Sequence, residues 1–351
     1  MPKRALARNS DFKRHAVDAH CGVRTLIATF ERHNPTSVGC MRGIVAEELY
    51  SIPNMDTPFG TMTSTMQIPT DYGFLEVYHA SPIACMYHAL SKSQLFVELM
   101  CSTREAGSHT VVLYMDEATP SNQKRPDRGR CNQCIYFSLL EWPCWFRSKK
   151  CGWVPFAYVY TQDLVDHALS DSKLLRWVLH IFKNDVDINA EFAVIVDTNM
   201  GHEVFRFNTK LTCCDWPQHK KNFSLKGHSG ICCCYFCPNC IGHCDEFDDD
   251  YLVHFSSTEY HRFQRHTSQS WLDLANDLED TAINHPAQLG MKEKSYGLKY
   301  EPESLMWDHE ARLRLALPYA AYVDWMHTWV ASGGVAQYQV NQMVQVLSGL
   351  F

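Results

Sequence analysis

The order of β-prone and helical segments in the middle of the chain is the sequence feature that most restricts its fold. Three apolar, β-prone runs come first, one amphipathic stretch follows, and two more β-prone runs complete the set. In chain order the segments are Val111–Met115, Ile135–Leu140, Trp153–Tyr160, Ser172–Lys183, Glu191–Asp197 and Glu203–Cys214. Strands and a helix in this succession predict an α/β domain built around one sheet.

Three strands, a helix and a further strand are also the opening order of an RNase H-like sheet. In such a sheet the first strand is central, so its end lies near the end of the later strand. We therefore predict an α/β protein with an RNase H-like mixed-sheet core, a helical N-terminal region and a helical insertion. The predicted division is residues 1–105 as a mixed and helical N-terminal region, 106–244 as the core with a CxxC knuckle, 245–317 as the insertion, and 318–351 as a C-terminal helix that returns to the core.

Composition limits the classes of protein to which the chain can belong. Hydrophobic residues make up 46% of the 351 residues, which is enough for a sizeable core. No apolar stretch reaches the roughly 18 residues that span a bilayer. The first fifteen residues are rich in charged side chains, and no apolar stretch follows them. The sequence thus predicts a nuclear or cytoplasmic protein that is neither secreted nor membrane-bound. Sixteen cysteines in such a compartment are not expected to form a disulfide framework.

The distribution of charge says more than its total. A net charge of −7 argues against a protein coated with nucleic-acid-binding charge. Seven Lys and Arg residues nevertheless lie between Ser121 and Lys150, and five lie between Val204 and His228. Solvated loops and nucleic-acid-binding surfaces both account for such stretches.

Aspartates stand at the ends of several β-prone runs. Asp116 ends the first run, Asp215 follows the last, and Asp197 ends the run before it. A two-metal phosphoryl-transfer site needs carboxylates held close together, and strand ends supply that geometry better than loops do. The alternative is that each aspartate simply begins a turn. The pair Asp116 and Asp215 fits the metal interpretation best.

The second chemical signal is a cysteine cluster with two overlapping CxxC pairs, Cys234/Cys237 and Cys237/Cys240. Two thiolates at this spacing bind one face of a tetrahedral Zn²⁺, and a structural zinc site requires four ligands. Far downstream, Asp324 and His327 have the i, i+3 spacing that places two ligands on one helical face. A redox-active dithiol, or simple packing, is the alternative for the cysteines, and a surface acid beside a half-buried histidine is the alternative for the second pair.

In order, these motifs resemble the catalytic region of DDE transposases of the CACTA (En/Spm) type, including element-derived genes of dinoflagellates. The similarity runs through Asp116, through residues 203–241 with their Asp-Trp-Pro and Lys-Gly-x-x-Gly stretches, and through Pro318–His327. The resemblance implies Asp116 and Asp215 as catalytic, Mg²⁺- or Mn²⁺-binding acids. It implies Zn²⁺ held by Cys234, Cys237 and His327, with Asp324, and assigns Asp197 a structural role. It also implies cleavage and transfer of DNA strands, DNA (element ends and target) as the partner, and a homo-oligomer.

The chain departs from this family at one important position. The family has a third acid, a Glu, beyond its Asp-x-x-His element, whereas residues Thr328–Phe351 contain neither Asp nor Glu. Either the third acid lies outside this chain or the site has lost it. The sequence therefore leaves three hypotheses open: a transposase-derived protein, a non-catalytic zinc-stabilised module that binds nucleic acid or protein, and an unrelated zinc protein.

Overall fold

The computed structural model of the protein describes residues 55–104, 107–118, 131–148, 152–183, 192–198, 201–234, 236–242, 250–315 and 321–323. The chain divides into two compact units. The first comprises residues 1–168 and 181–209, and the second comprises residues 169–180 and 210–351. Among the described residues, no helix combines the length and the apolar character needed to cross a bilayer.

The protein is of the mixed α/β class. In chain order its strands and α-helices are β1 (Asp56–Thr57), β2 (Gly60–Thr61), β3 (Thr63–Thr70), β4 (Gly73–Ala80), α1 (Pro82–Lys92), α2 (Gln94–Thr103), β5 (His109–Ala118), β6 (Asn132–Leu139), α3 (Cys144–Arg147), β7 (Val154–Tyr160), α4 (Thr161–Asp166), α5 (Asp171–Ile181), β8 (Phe192–Thr198), β9 (Gly201–Cys214), α6 (Trp216–Asn222), β10 (Cys240–Ile241), β11 (Val253–His254), α7 (Ser268–Asn284), α8 (Pro286–Tyr296), α9 (His309–Leu315) and β12 (Ala321–Val323). Short 3-10 turns occur at Gly227–Ser229, Tyr260–Arg262 and Leu305–Trp307.

The first unit is built on a sheet whose strands lie in the order β9-β5-β6-β7-β4-β3, with β8 also paired to β9. Five neighbouring pairs are antiparallel: β3 with β4, β4 with β7, β7 with β6, β6 with β5, and β8 with β9. Strand β5 therefore lies inside the sheet, between β6 and β9.

Aromatic side chains fill the core of the first unit. The ring centroids of Phe137 and Phe156 lie 5.4 and 5.1 Å from that of Phe182. Phe192 stacks on Phe207 at 4.7 Å, which joins the two strands of the β8–β9 hairpin. All five rings are buried, and each contributes roughly 1.5–3 kcal/mol through removal of its apolar surface from water.

In the second unit, helix α5 is held by a buried serine. The Ser172 hydroxyl donates to the carbonyl of Asn222 at 2.6 Å and accepts from the amide of Leu305 at 3.2 Å. The last residues of β9 also belong to this unit, where Thr212, Cys213 and Cys214 pair in parallel with Ala321–Val323. Helices α7 and α8 form a hairpin whose Lys292 and Tyr296 side chains both bond to Asp277.

Most of the predicted elements from β5 to β9 are confirmed to within a few residues. Residues 81–90 and 93–100 have sequences that predict two helices with a short break, and α1 and α2 confirm them. Four predictions from local sequence are wrong. Residues 60–69 and 284–308 have turn-rich sequences, but the first range contains most of β3 and the second contains α8. The polar pattern of residues 254–265 predicts a helix, but this range contains the last residue of β11 and a 3-10 turn. The pattern from Tyr319 onward also predicts a helix, whereas Ala321–Val323 form a strand. The four-part domain division stays a prediction.

Candidate functional site

Asp116 lies two residues before the end of β5, in the first unit, and is half-buried. The hydroxyl of Tyr114, on the same face of the strand, donates to its Oδ2 atom at 3.3 Å. Across the sheet Asp116 is paired with Cys134. Burial, together with the charge of Asp116, raises the pKa of Cys134 to about 12, so this neighbour is a neutral thiol at pH 7.

Asp215 lies in the second unit, directly after β9, and is the N-cap of α6. Its Oδ1 atom accepts a hydrogen bond from the backbone amide of Gln218 at 2.8 Å, and Pro217 stands in the first turn. The helix is therefore started by the carboxylate itself. Asp215 therefore has the turn-forming role that the sequence also allowed. The capping bond uses only Oδ1, and the second carboxylate oxygen, Oδ2, takes no part in it.

Asp197 behaves as an ordinary hairpin residue. It lies opposite His202 in the β8–β9 pair, and its carboxylate contacts that imidazole. Its side chain is 84% exposed, so solvent weakens the contact and it contributes little stability.

The cysteine loop, residues 232–241, folds back on itself as a tight turn. The amide of Cys233 donates to the carbonyl of Cys240 at 3.0 Å, and Cys232 forms a bridge with Ile241. As a result, the Sγ atoms of Cys233 and Cys240 lie 3.9 Å apart. A tetrahedral zinc with sulfur ligands at about 2.3 Å has sulfur–sulfur edges of about 3.8 Å, so this pair fits one edge of such a site.

The two cysteines that the sequence analysis preferred, Cys234 and Cys237, are brought together in this loop. Hydrogen bonds from the thiol of Cys240, the amides of the loop and the thiol of Cys237 outweigh burial and lower the pKa of Cys234 to about 6. Burial and the neighbouring Cys234 raise the pKa of Cys237 to about 11. These hydrogen bonds therefore favour the thiolate form of Cys234, the form that binds metals.

A cavity of about 240 Å³ adjoins the loop within the second unit and is lined by Cys233, Cys234, His266 and Trp271, among others. Burial lowers the pKa of His266 to about 4, so its ring is neutral; Nδ1 lies 2.9 Å from the hydroxyl of Ser270. Within the part of the chain that the structure describes, however, no three His, Cys, Asp or Glu side chains are grouped as a metal site. The thiol chemistry fits zinc, whereas a complete ligand set is not assembled from these residues.

Sequence reasoning missed what Asn239 does. This buried side chain donates from Nδ2 to the carbonyls of Tyr251 and Arg262 at 3.0 and 2.8 Å and accepts from the amide of Gln264 at 3.0 Å. It therefore joins the cysteine loop to residues 250–266. A polar residue between Pro238 and Cys240 was the only signal, and polarity alone does not reveal burial.

The basic residues after β9 are only partly available to a ligand. Lys226 pairs with Glu293 at 2.7 Å, and Lys221 lies 3.7 Å from Asp171. Lys210 is exposed on the strand itself. A nucleic-acid-binding surface in this part of the second unit would thus rest on fewer cations than the sequence count implies.

Asp324, His327 and the segment from Thr328 onward lie outside the described residues, as do six of the seven basic residues between Ser121 and Lys150. No protein-family model matches the chain, and no curated protein matches it significantly.

Proposed function

We propose that the chain is a transposase-derived protein with an RNase H-like core, whose Asp116 and Asp215 bind divalent cations for cleavage and transfer of DNA strands. One observation carries this proposal. Strand β5, which ends just after Asp116, lies between β6 and β9, and β9 is the strand that leads to Asp215. A central first strand beside the later strand is the arrangement expected of an RNase H-like sheet.

Contacts within the first unit also support a common direction for these two strands. Arg104 contacts Glu203 and Val204. His109, five residues later, lies beside the rings of Phe205 and Phe207. A later residue of the first segment thus contacts later residues of the second, as it would in parallel strands. Each aspartate lies toward the carboxyl end of its own strand.

The proposed roles of the two aspartates follow from their carboxylates. Each would contribute hard oxygen ligands from the end of a rigid strand. When bound, two divalent ions activate the attacking oxygen and stabilise the leaving oxygen of an in-line displacement at phosphorus. Asp215 would present the carboxylate oxygen that does not cap α6. Because only two of the family's three acids stand in the sequence, cation binding is a more direct test than cleavage.

We expect Asp116→Asn and Asp215→Asn each to raise the Kd of the full chain for Mn²⁺ by more than about tenfold, since even outer-shell partners contribute roughly 10–100-fold. Asn retains the N-cap at position 215, so α6 is preserved. If both acids hold the same ions, the double substitution adds little to the stronger single one. Isothermal titration with Mn²⁺ measures all three variants.

Asp197→Asn is the matched control, because Asp197 is also a strand-end acid but is paired in an exposed hairpin. Its Kd for Mn²⁺ should equal that of the wild type. Wild-type protein that binds no Mn²⁺ would contradict the proposal. So would substitutions that each remove one bound Mn²⁺ and leave the Kd of the other unchanged, because that result indicates two independent sites.

A second candidate function is a zinc-stabilised, non-catalytic module that binds nucleic acid or protein. The specific observation in its favour is the contact between the Cys234 and Cys237 side chains in the cysteine loop, together with the lowered pKa of Cys234. In this function Cys234 and Cys237 would hold the ion together with Asp324 and His327, as the family resemblance implies. Structural zinc stabilises a folded domain directly.

We expect purified protein to contain about one zinc per chain, because a structural site of thiolates binds zinc tightly. The combined substitution Cys234→Ser with Cys237→Ser should remove it, and elemental analysis after extensive dialysis measures the change. Cys144→Ser is the control, since Cys144 is exposed and distant in sequence from the loop. Metal-free wild-type protein would refute the zinc site and leave the proposal for the aspartates intact.

A further inference from the structure

We propose that Tyr114 is a positioning residue for the metal-binding carboxylate of Asp116. This inference rests on the proposed function and names a residue that the family resemblance does not include. The two side chains project from the same face of β5, two positions apart, and the Tyr114 hydroxyl lies 3.3 Å from Oδ2 of Asp116.

The donor in this contact is unambiguous. An ionised carboxylate only accepts hydrogen bonds, so the tyrosine O–H must donate to it. A hydrogen bond to a charged acceptor is stronger than one between neutral groups. It restricts rotation of the carboxylate about its Cβ–Cγ bond, which is the motion that would misalign a metal ligand.

The ring of Tyr114 is itself held in place. It packs edge-on against Trp153, with ring centroids 5.7 Å apart, and the indole N–H of Trp153 donates to the carbonyl of Arg147 at 2.9 Å. Across the strand pair, Tyr114 lies opposite Tyr136. These contacts fix the position of the Tyr114 hydroxyl. An outer-shell partner of a metal site must be held in this way to orient the ligand.

The carboxylate of Asp215 is also held by a hydrogen-bond donor of the protein, in this case a backbone amide. One of its carboxylate oxygens accepts from a backbone amide, that of Gln218, at 2.8 Å. Each proposed ligand thus has one oxygen held by an internal donor. At Asp215 the donor is a backbone amide, which only a substitution to proline would remove, whereas at Asp116 it is a side chain whose hydroxyl can be removed with the ring kept.

The test is titration of the full chain with Mn²⁺. We expect Tyr114→Phe to raise the Kd about tenfold, the lower end of the effect of losing an outer-shell partner. Tyr136→Phe is the control, because the Tyr136 hydroxyl accepts from Tyr158 rather than bonding to Asp116. In the Asp116→Asn background, Tyr114→Phe should change the Kd no further, a result that a purely structural role for the hydroxyl would not produce.

The outcomes separate this inference from the function on which it rests. If Asp116→Asn raises the Kd while Tyr114→Phe binds Mn²⁺ as tightly as Tyr136→Phe, the positioning role is overturned and the proposed function stands. If Asp116→Asn itself leaves the Kd unchanged, both fall. Equal effects of Tyr114→Phe with and without Asp116 would also overturn the positioning role.

Discussion

Gly297→Ala should lower the free energy of unfolding of the second unit by about 3 kcal/mol or more. Gly297 ends helix α8 in the left-handed conformation, with φ of 69°. A Cβ atom added there would lie 1.9 Å from the carbonyl oxygen of Cys232. Since that atom is backbone, the cysteine loop would have to move, and the strained φ adds to the cost.

Gly290→Ala, in the same helix, is the matched control. An added Cβ at Gly290 meets no atom within 4 Å, so this substitution should stabilise by roughly 0.5–1 kcal/mol through helix propensity. Urea denaturation of both variants measures the difference. A Gly297→Ala variant as stable as the wild type would show that the close approach between α8 and the cysteine loop does not contribute to the fold.

Asp308→Ala should destabilise the second unit by roughly 2–5 kcal/mol, because it removes hydrogen bonds from charged donors worth about 1.5–3 kcal/mol and a helix cap worth about 0.5–2 kcal/mol. The Asp308 side chain is 7% exposed and receives hydrogen bonds from Arg176 at 2.7 Å and from His180 at 3.1 Å. Its Oδ1 atom also accepts from the amide of Ala311 at 2.8 Å at the start of α9. The substitution thus removes a helix cap and leaves the Arg176 guanidinium without its carboxylate.

The contribution of Asp308 should depend on pH in a defined direction. Burial alone would raise the pKa of Asp308, but the bonds from Ala311, Arg176 and His180 outweigh it and hold that pKa below its usual value. A carboxyl with a lowered folded pKa contributes stability above its unfolded pKa of about 3.9 and loses it as the pH falls through the folded value.

Comparing wild type with Asp308→Asn from pH 7 to pH 2 checks this sign. The difference in unfolding free energy should be constant above about pH 5 and shrink at lower pH. Glu259→Gln is a control, because the exposed Arg262–Glu259 pair contributes at most about 1 kcal/mol. A difference that grows on acidification would contradict the assigned role of Asp308.

The strands of the first unit were predictable because local pattern and tertiary environment agree there. Val111, Leu113 and Met115 are buried on one face of β5, as an apolar run indicates. Strand β3 was missed because its apolar signal is sparse. Met66 and Ile68 are buried, while the Thr, Ser and Gln residues around them are exposed and suggested a loop.

Helix α8 was missed for a related reason. None of its residues is buried, so it shows no apolar periodicity. Its signals are the terminal ones, Pro286 at the first turn and Gly297 after the last. Residues 254–265 show the opposite error, because the predicted helix is not formed. Asn239 donates to the carbonyl of Arg262 and accepts from the amide of Gln264, and these bonds favour an irregular backbone.

For the candidate sites, the sequence identified residue types, and the structure supplied their immediate partners. Asp116 and Cys234 were chosen from strand ends and CxxC spacing, and both have neighbours that spacing does not reveal, such as Tyr114 and Cys240. The joint cation site of Asp116 and Asp215, the zinc ligands Asp324 and His327, and the DNA partner all stay predictions.

The sequence by itself determined the α/β class and the succession of strands from β5 to β9, because alternating and continuous apolar patterns act over a few residues. Only the tertiary structure decided that β5 lies between β6 and β9, that Asn239 joins the cysteine loop to residues 250–266, and that Gly297 must lack a side chain beside Cys232. Those features depend on hydrogen bonds and close contacts between residues far apart in the chain, which local patterns do not encode.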